Sequence, residues 1–228
     1  MKFDIITIFP KIFDSYFNES IIKRAQQKKL VKINIHNLRK YTTDLHKTID
    51  DRPYGGGFGM VLMVEPIYKA IKKIKNINKK TKVILMSPKG KKFNQKMAMR
   101  FSKLDQLIII SGRYEGVDER VAKHIADEEV SIGKYILTGG EVPAMVIVDA
   151  ITRLIPGVIK KGSLIEESFS SFSKEYPQYT RPEKIKIDNK ERRVPKVLLS
   201  GNHGKIKEWK KKLTENTRWY KIPRYFYN

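Results

Sequence analysis

An α/β fold built on a largely parallel sheet, followed by a small, basic and mainly helical C-terminal domain, is what the sequence predicts, and three observations predict it. Short apolar runs rich in β-branched residues (KFDIITIF, VKINIHNL, KVILM and LIII) alternate with stretches of helical period. Two of these runs are followed by glycine-bearing turns, SPKG and SGRYEG, at the place where parallel strands offer their carboxyl ends to ligands. After Pro156-Gly157 the periodicity collapses into a Ser-rich stretch and then a Lys-rich tail.

The elements follow in order. Lys2 to Phe9 reads as a buried strand that Pro10 stops. Ile12, Phe13, Tyr16 and Phe17 recur at helical spacing, and Ser20 precedes a second helical run through Ala25. Val31 to Leu38 alternates, with Val31, Ile33 and Ile35 on one face. Tyr41 to Gly59 (YTTDLHKTIDDRPYGGGFG) is too polar and too glycine-rich for a core element, so it is either a functional loop or a mobile surface one. Its glycines satisfy neither the dinucleotide fingerprint nor the P-loop. Glu65 to Ile77 resumes a helix, with Pro66 in its first turn and Ile67, Ala70, Ile71 and Ile74 facing inward. Lys82 to Met86 is a third strand that ends in the turn Ser87-Pro88-Lys89-Gly90, and a helix from Asn94 to Lys103 leads into the strand Leu107 to Ile110.

The stretch Leu107 to Pro143 then places two glycine turns, Gly112 to Gly116 and Ser131 to Glu141, about one helix apart. Glycine lets backbone approach a ligand with no Cβ in the way, so these turns predict a crevice lined by main-chain amides and carbonyls. Pro143 to Leu154 is an apolar helix closed by Pro156-Gly157, with Arg153 in its last turn, where compensation of the helix dipole would account for it. Ile159 to Tyr179 has no period and reads as a linker. Beyond it, a helix places Ile206, Trp209 and Leu213 on one face and Lys205, Lys207, Lys210, Lys211 and Lys212 on the others.

Composition limits what such a chain does. With 228 residues and 40% apolar content it has enough material for one substantial core and a second small domain. No apolar run approaches the roughly 20 residues of a membrane helix, and the start lacks a cleavage site, so a cytoplasmic protein is expected. The absence of Cys excludes disulfides, thiolate metal sites and cysteine nucleophiles. His36, His46, His124 and His203 have no metal-ligand spacing, and no metal site is expected from them. The formal charge of +23 makes a polyanion the leading partner class, although Lys accompanied by many Ile and Asn is also what a biased composition writes onto solvated surfaces. Aromatics interleaved with cations near the end (Trp219, Tyr220, Arg224, Tyr225, Phe226, Tyr227) suit a nucleic-acid groove, and equally an aromatic tail packed on the core.

Seven motifs are more specific: IDDRPYGGG (Ile49 to Gly57), LMSPKG (Leu85 to Gly90), SGRYEGVDERV (Ser111 to Val121), DEEVSIGKYILTGGEVPAM (Asp127 to Met145), IPGV (Ile155 to Val158), YTRPE (Tyr179 to Glu183) and PKVLLSGNH (Pro195 to His203). In this order, over nearly the whole chain, they resemble the bacterial tRNA (guanine-N1)-methyltransferase (TrmD) family of the SPOUT superfamily. The resemblance implies methylation of guanosine 37 beside the anticodon, S-adenosylmethionine as methyl donor, and a homodimer with active sites at the subunit interface. It also implies a trefoil knot from about Ser87 to Leu154, where periodicity alone suggests an ordinary doubly wound sheet. The implied domains are a knotted catalytic domain over 1–159, a linker over 160–173 and a tRNA-binding domain over 174–228.

Carried over residue by residue, the resemblance assigns the cofactor to Ser87, Pro88, Gly112, Tyr114, Glu115, Gly116, Ile132, Gly133, Lys134, Tyr135, Ile136, Leu137, Gly139, Gly140 and Pro143. Lys134 stands where the family often has an acid, at a contact expected through backbone. The base that takes the guanine N1 proton is an Asp in the family; Glu167 holds that place here, with Glu166 beside it as the competitor. Arg153 matches a family arginine that stabilises charge developing on guanine O6. The family's magnesium dependence makes Glu115 a candidate for placing that ion. His46, Asp50, Asp51 and Arg52, with Asn202 and His203 in the second domain, are assigned to the tRNA. A SPOUT enzyme acting on another RNA position, or an RNA-binding protein without activity, are the alternatives.

Overall fold

Two compact units divide the chain, Met1–Lys161 and Gly162–Asn228. The computed structural model describes residues 1–159 and 176–216. The first unit runs β1 (Lys2–Thr7), α1 (Asp14–Phe17), α2 (Ser20–Gln27), β2 (Lys32–Asn37), β3 (Asp50–Asp51), β4 (Val61–Leu62), α3 (Val64–Ile74), β5 (Thr81–Lys92), α4 (Gln95–Phe101), β6 (Gln106–Ser111), α5 (Glu119–His124), β7 (Glu128–Ser131) and α6 (Glu141–Thr152). Five strands form one sheet in the order β2-β1-β6-β5-β7, and every neighbouring pair is parallel. No helix among the described residues is long and apolar enough to cross a membrane.

β6 shows why the sequence carries runs without polar alternation. It lies between β1 and β5, and all of its residues are buried. Successive side chains point to opposite faces. Leu107 and Ile109 join Phe3, Ile5 and Ile84 under Phe13, Phe17, Phe101, Ile147 and Val148, whereas Ile108 and Ile110 join Ile6, Val83 and Leu85 under Ile67, Ala70 and Val121. One face is thus covered by α1, α2, α4 and α6 and the other by α3 and α5. Fully burying each such Ile or Leu contributes about 1.5–3 kcal/mol.

Several elements depart from expectation. The helix expected to reach Ile77 stops at Ile74, because Lys75 turns extended (ψ 123°) and the Asn76 amide donates to Gln106 Oε1 at 3.0 Å. Ile77 is consequently 87% exposed. Ser87 to Gly90 is not a turn that ends the third strand but a bulge inside β5: Val130 of β7 pairs with both Met86 and Lys91, and the four residues between them are looped out. Pro88 has no amide for the ladder, and a Cβ at Gly90 would lie 2.4 Å from the Val130 nitrogen, so both residues suit that bulge. The polar loop contains the short antiparallel pair β3–β4, and β7 arises from EEVS, too short a segment to show a period.

The second unit holds β8 (Lys184–Ile187), β9 (Lys190–Arg193), α7 (Lys196–Leu199) and α8 (His203–Asn216). β8 and β9 form a hairpin across Asp188-Asn189, both at positive φ (51° and 58°), the backbone that a two-residue turn of this hand requires. Ile206, Trp209 and Leu213 are partly buried along α8, as their spacing predicts, and Tyr179 packs 6.3 Å from Trp209. Lys210, expected on the solvated side, instead donates to the Tyr176 hydroxyl at 2.6 Å and sits over its ring. Residues 160–175 of the expected linker and the aromatic tail from Trp219 onward lie outside the described residues.

Candidate functional site

The carboxyl ends of β5, β6 and β7 open into a cleft of about 300 Å³. Ser87 and Pro88 come from the bulge, Gly112 to Gly116 from the turn after β6, and Ile132 to Gly140 from the loop after β7, with Pro143 at the start of α6. The cofactor residues expected from the motifs therefore converge, although some are more than fifty positions apart in the chain. Lys134 is the exception: it sits exposed in the loop and is not on the wall, whereas Arg113, Ser131 and Thr138, inside the two expected turns but not among the assigned cofactor residues, are, together with Met86 and Val130.

Backbone holds these turns together. The Gly140 amide donates to the Gly112 carbonyl at 2.8 Å, and Arg113 and Gly139 form an antiparallel bridge. A Cβ on Gly140 would meet Ser111 Cα at 2.7 Å and the Gly112 nitrogen at 2.9 Å, so this glycine is required by the close approach of two main chains. Gly112 differs: a Cβ there would meet nothing in the fold closer than 3.6 Å, so packing does not require a glycine and the space is left on the cleft wall. Tyr114, at φ +58°, holds a left-handed conformation that non-glycine residues seldom adopt, and such positions cluster at functional turns.

One ion pair fixes the frame. Arg113 Nε donates to Glu141 Oε2 at 2.9 Å and its Nη1 to the Thr138 carbonyl at 3.2 Å, while its guanidinium lies 4.9 Å from the Phe9 ring centroid. Glu141 is 1% exposed, and its other oxygen accepts from the Thr7 hydroxyl at 2.8 Å. A buried carboxylate is tolerated only when paired and hydrogen-bonded, and this one ties β1, the turn after β6 and the start of α6 into a single unit. Both residues lie inside quoted motifs, yet sequence alone does not reveal that positions 28 residues apart pair.

With Arg113 neutralised, Glu115 is the remaining charge on the wall. Its amide donates to the Met60 carbonyl at 3.1 Å, the Leu62 amide donates to the Gly116 carbonyl at 3.0 Å, and the Asp118 amide to the Leu62 carbonyl at 3.0 Å. The polar loop is in this way stitched to the cleft turn. Asp50 and Asp51 lie in β3, and His46, Asp51 and Arg52 are exposed. In the second unit Asn202 and His203 are exposed at the start of α8, where Asn202 Oδ1 accepts from the Lys205 amide at 3.0 Å as a helix cap. No group of three His, Asp or Glu placed to hold a metal occurs among the described residues.

Arg153 does not reach this cleft within its own chain. It follows the last residue of α6, whose first residues border the cleft, and the 12 residues of that helix correspond to about 18 Å of rise. Glu166 and Glu167 lie outside the described residues.

Comparison with known proteins converges on one family. The family model described as tRNA (Guanine-1)-methyltransferase TrmD matches residues 1–225. Proteins named tRNA (guanine-N(1)-)-methyltransferase are similar over most of their length: one from Dictyoglomus turgidum is 53% identical over 98% of this chain and 89% of its own. One from Carboxydothermus hydrogenoformans is 54% identical over 93% and 82%, and one from Clostridium botulinum 51% identical over 96% and 91%. A match of this extent, in a chain whose motif residues close one cleft at the ends of parallel strands, places the protein in the tRNA (guanine-1)-methyltransferase TrmD family.

Proposed function

We propose that the protein transfers a methyl group from S-adenosylmethionine to N1 of guanosine 37 in tRNA, beside the anticodon, as a homodimer in the cytoplasm. The observation that carries the reading is the convergence of three motif-bearing turns in one cleft, in a chain that matches the family from end to end. Family membership supports methylation of tRNA guanosine at N1 and implies the donor.

The cleft suits that donor. Its wall is mostly main chain, glycine and apolar side chain, with room left at Gly112 and one carboxylate, Glu115, opposite in sign to a sulfonium. S-adenosylmethionine, when bound, supplies an electrophilic methyl. Ser87, Gly112, Tyr114, Gly139 and Gly140 would hold it, and Ile136 and Leu137, 79% and 41% exposed, would close over its apolar part. Guanine N1 carries a proton that must leave as the new C–N bond forms. Glu167 is the base, and Arg153 stabilises the charge that grows on O6 as that proton departs. Glu115 alone is a poor ligand set for magnesium.

Two features support the dimer. Arg153 lies a helix length from its own cleft, so its assigned role requires the cleft of a second copy. In addition, Val142 and Val146 leave an apolar stripe exposed along α6, and Ile12 and Tyr16 are exposed as well, with the Asp149 carboxylate of α6 near enough to Tyr16 to add to the upward shift of its pKa that burial begins. The knot is part of the same proposal. Incubation with unmodified tRNA carrying guanosines at 36 and 37, followed by nucleoside identification, tests the function; product on ribose, or on another base, would reject it.

A further inference from the structure

The two most exposed aromatic side chains among the described residues occupy one short loop. Tyr54 and Phe58 are 101% and 96% exposed, at the tip of the segment between β3 and β4. Four glycines accompany them, Gly55, Gly56, Gly57 and Gly59, all at positive φ, and added Cβ atoms at Gly55 and Gly56 would touch nothing. Neither ring contributes to a core cluster. A ring held fully in water forgoes the stabilisation of burial, so its presence here calls for something that covers it.

The base of the loop is fixed. Asp50 pairs with Leu62 and Asp51 with Val61, the Met63 amide donates to the Ile49 carbonyl at 2.8 Å, and Met60 and Leu62 are hydrogen-bonded to Glu115 and Gly116. A Cβ at Gly59 would lie 2.7 Å from Glu115 Cγ, so the end of the loop packs directly on a side chain of the cleft wall. The two rings therefore project from the rim of the cofactor cleft. Cations accompany them: Arg52 is exposed, and so is Arg120, held by Asp118 at 2.9 and 2.7 Å in the turn that leads from the cleft wall into α5.

Rings with open π-faces, beside cations and at the edge of a methyl-transfer cleft, match one ligand chemistry: unstacked nucleobases on a phosphate backbone. Guanine N1 lies on the Watson–Crick edge, and an enzyme that works on a base takes it out of its stack, which leaves neighbouring bases without a partner. Resting on the tRNA reading above, we propose that Tyr54 and Phe58 form a stacking platform for the unpaired bases next to the target guanine.

The test compares Phe58→Leu, Phe58→Trp and Tyr54→Leu in the full-length protein by binding of unmodified tRNA, calorimetry with S-adenosylmethionine, thermal melting and sedimentation. The platform predicts that each Leu variant binds tRNA roughly tenfold more weakly and that Trp restores the affinity. S-adenosylmethionine affinity, melting temperature and the slope of tRNA affinity against salt should stay at wild-type values, because an aromatic face and not a charge is removed. Wild-type tRNA affinity in both Leu variants overturns the proposal. A lower melting temperature would assign the rings to packing within the chain, and loss of the dimer to a subunit contact, and either overturns it as well. Methyl transfer to N1 by the unaltered protein, measured on the same tRNA, tests the parent reading separately: if that product is absent, the function fails whatever the variants do.

Discussion

At the scale of single residues, the two glycines that meet on the cleft wall have different reasons to be glycine. Gly140 is enforced by the backbone of Ser111 and Gly112, so Gly140→Val acts by driving apart the turns that its amide joins, and not by filling the cleft as its sequence position suggested. The expected outcome is loss of S-adenosylmethionine affinity together with a lower melting temperature, read by calorimetry and thermal denaturation. Glu167→Gln should behave in the opposite way. It removes the proposed proton acceptor and changes no residue of the cleft wall, so methyl transfer should fall by about 10²-fold or more while cofactor affinity holds. Full activity in that variant, with loss in Glu166→Gln, would move the base by one residue. Much of the cleft was legible at this scale, since motif glycines and small residues signal backbone approach. The Arg113–Glu141 pair was not, because nothing local marks two residues as partners across a fold.

At the scale of elements, two carboxylates tie strands to their surroundings and make the fold acid-sensitive. The Arg100 guanidinium, at 2.7 and 2.6 Å, and then the Lys82 ammonium hold Glu128 at a pKa of about 2 against an ordinary 4.5, joining β7 to α4 and β5. Burial in the sheet pushes Asp4 upward, but hydrogen bonds from His36, Gln106, Lys2 and Asn34 outweigh it and hold its pKa at about 2, against 3.8. Folded pKa values below the unfolded ones mean stability that is fully present above about pH 4.5 and is lost as pH falls toward 2. Melting temperature should therefore drop over that window. Glu128→Gln should be less stable than wild type at pH 6 and converge with it near pH 2; a constant gap would contradict the ion-pair explanation. Elements with a long period, such as β6 and α6, were readable from the sequence. β7 and the β3–β4 pair were not, because a few residues set no period and their pairing is fixed by distant strands. The β8–β9 hairpin had a readable signal, Asp188-Asn189 between IKI and KER, that a search for helical period passes over.

At the scale of the whole molecule, the charge of +23 either grips tRNA phosphates or merely solvates the surface, and salt separates the two. With six or more phosphate contacts, tRNA affinity should fall roughly 10³-fold between 50 and 200 mM salt, and a flat response would make the lysines a solvated surface. The α/β class and its parallel sheet followed from alternating periods, whereas the proposed second copy came only from the motif resemblance; the position of Arg153, a helix length from the cleft it is assigned to serve, is the structural feature that supports it. The most direct measurement of the central claim is methyl transfer from labelled S-adenosylmethionine to unmodified tRNA, with the modified nucleoside and its position identified. N1-methylguanosine at position 37, abolished by Glu167→Gln, is the predicted result; a labelled ribose, a different base, or no transfer at all would contradict it.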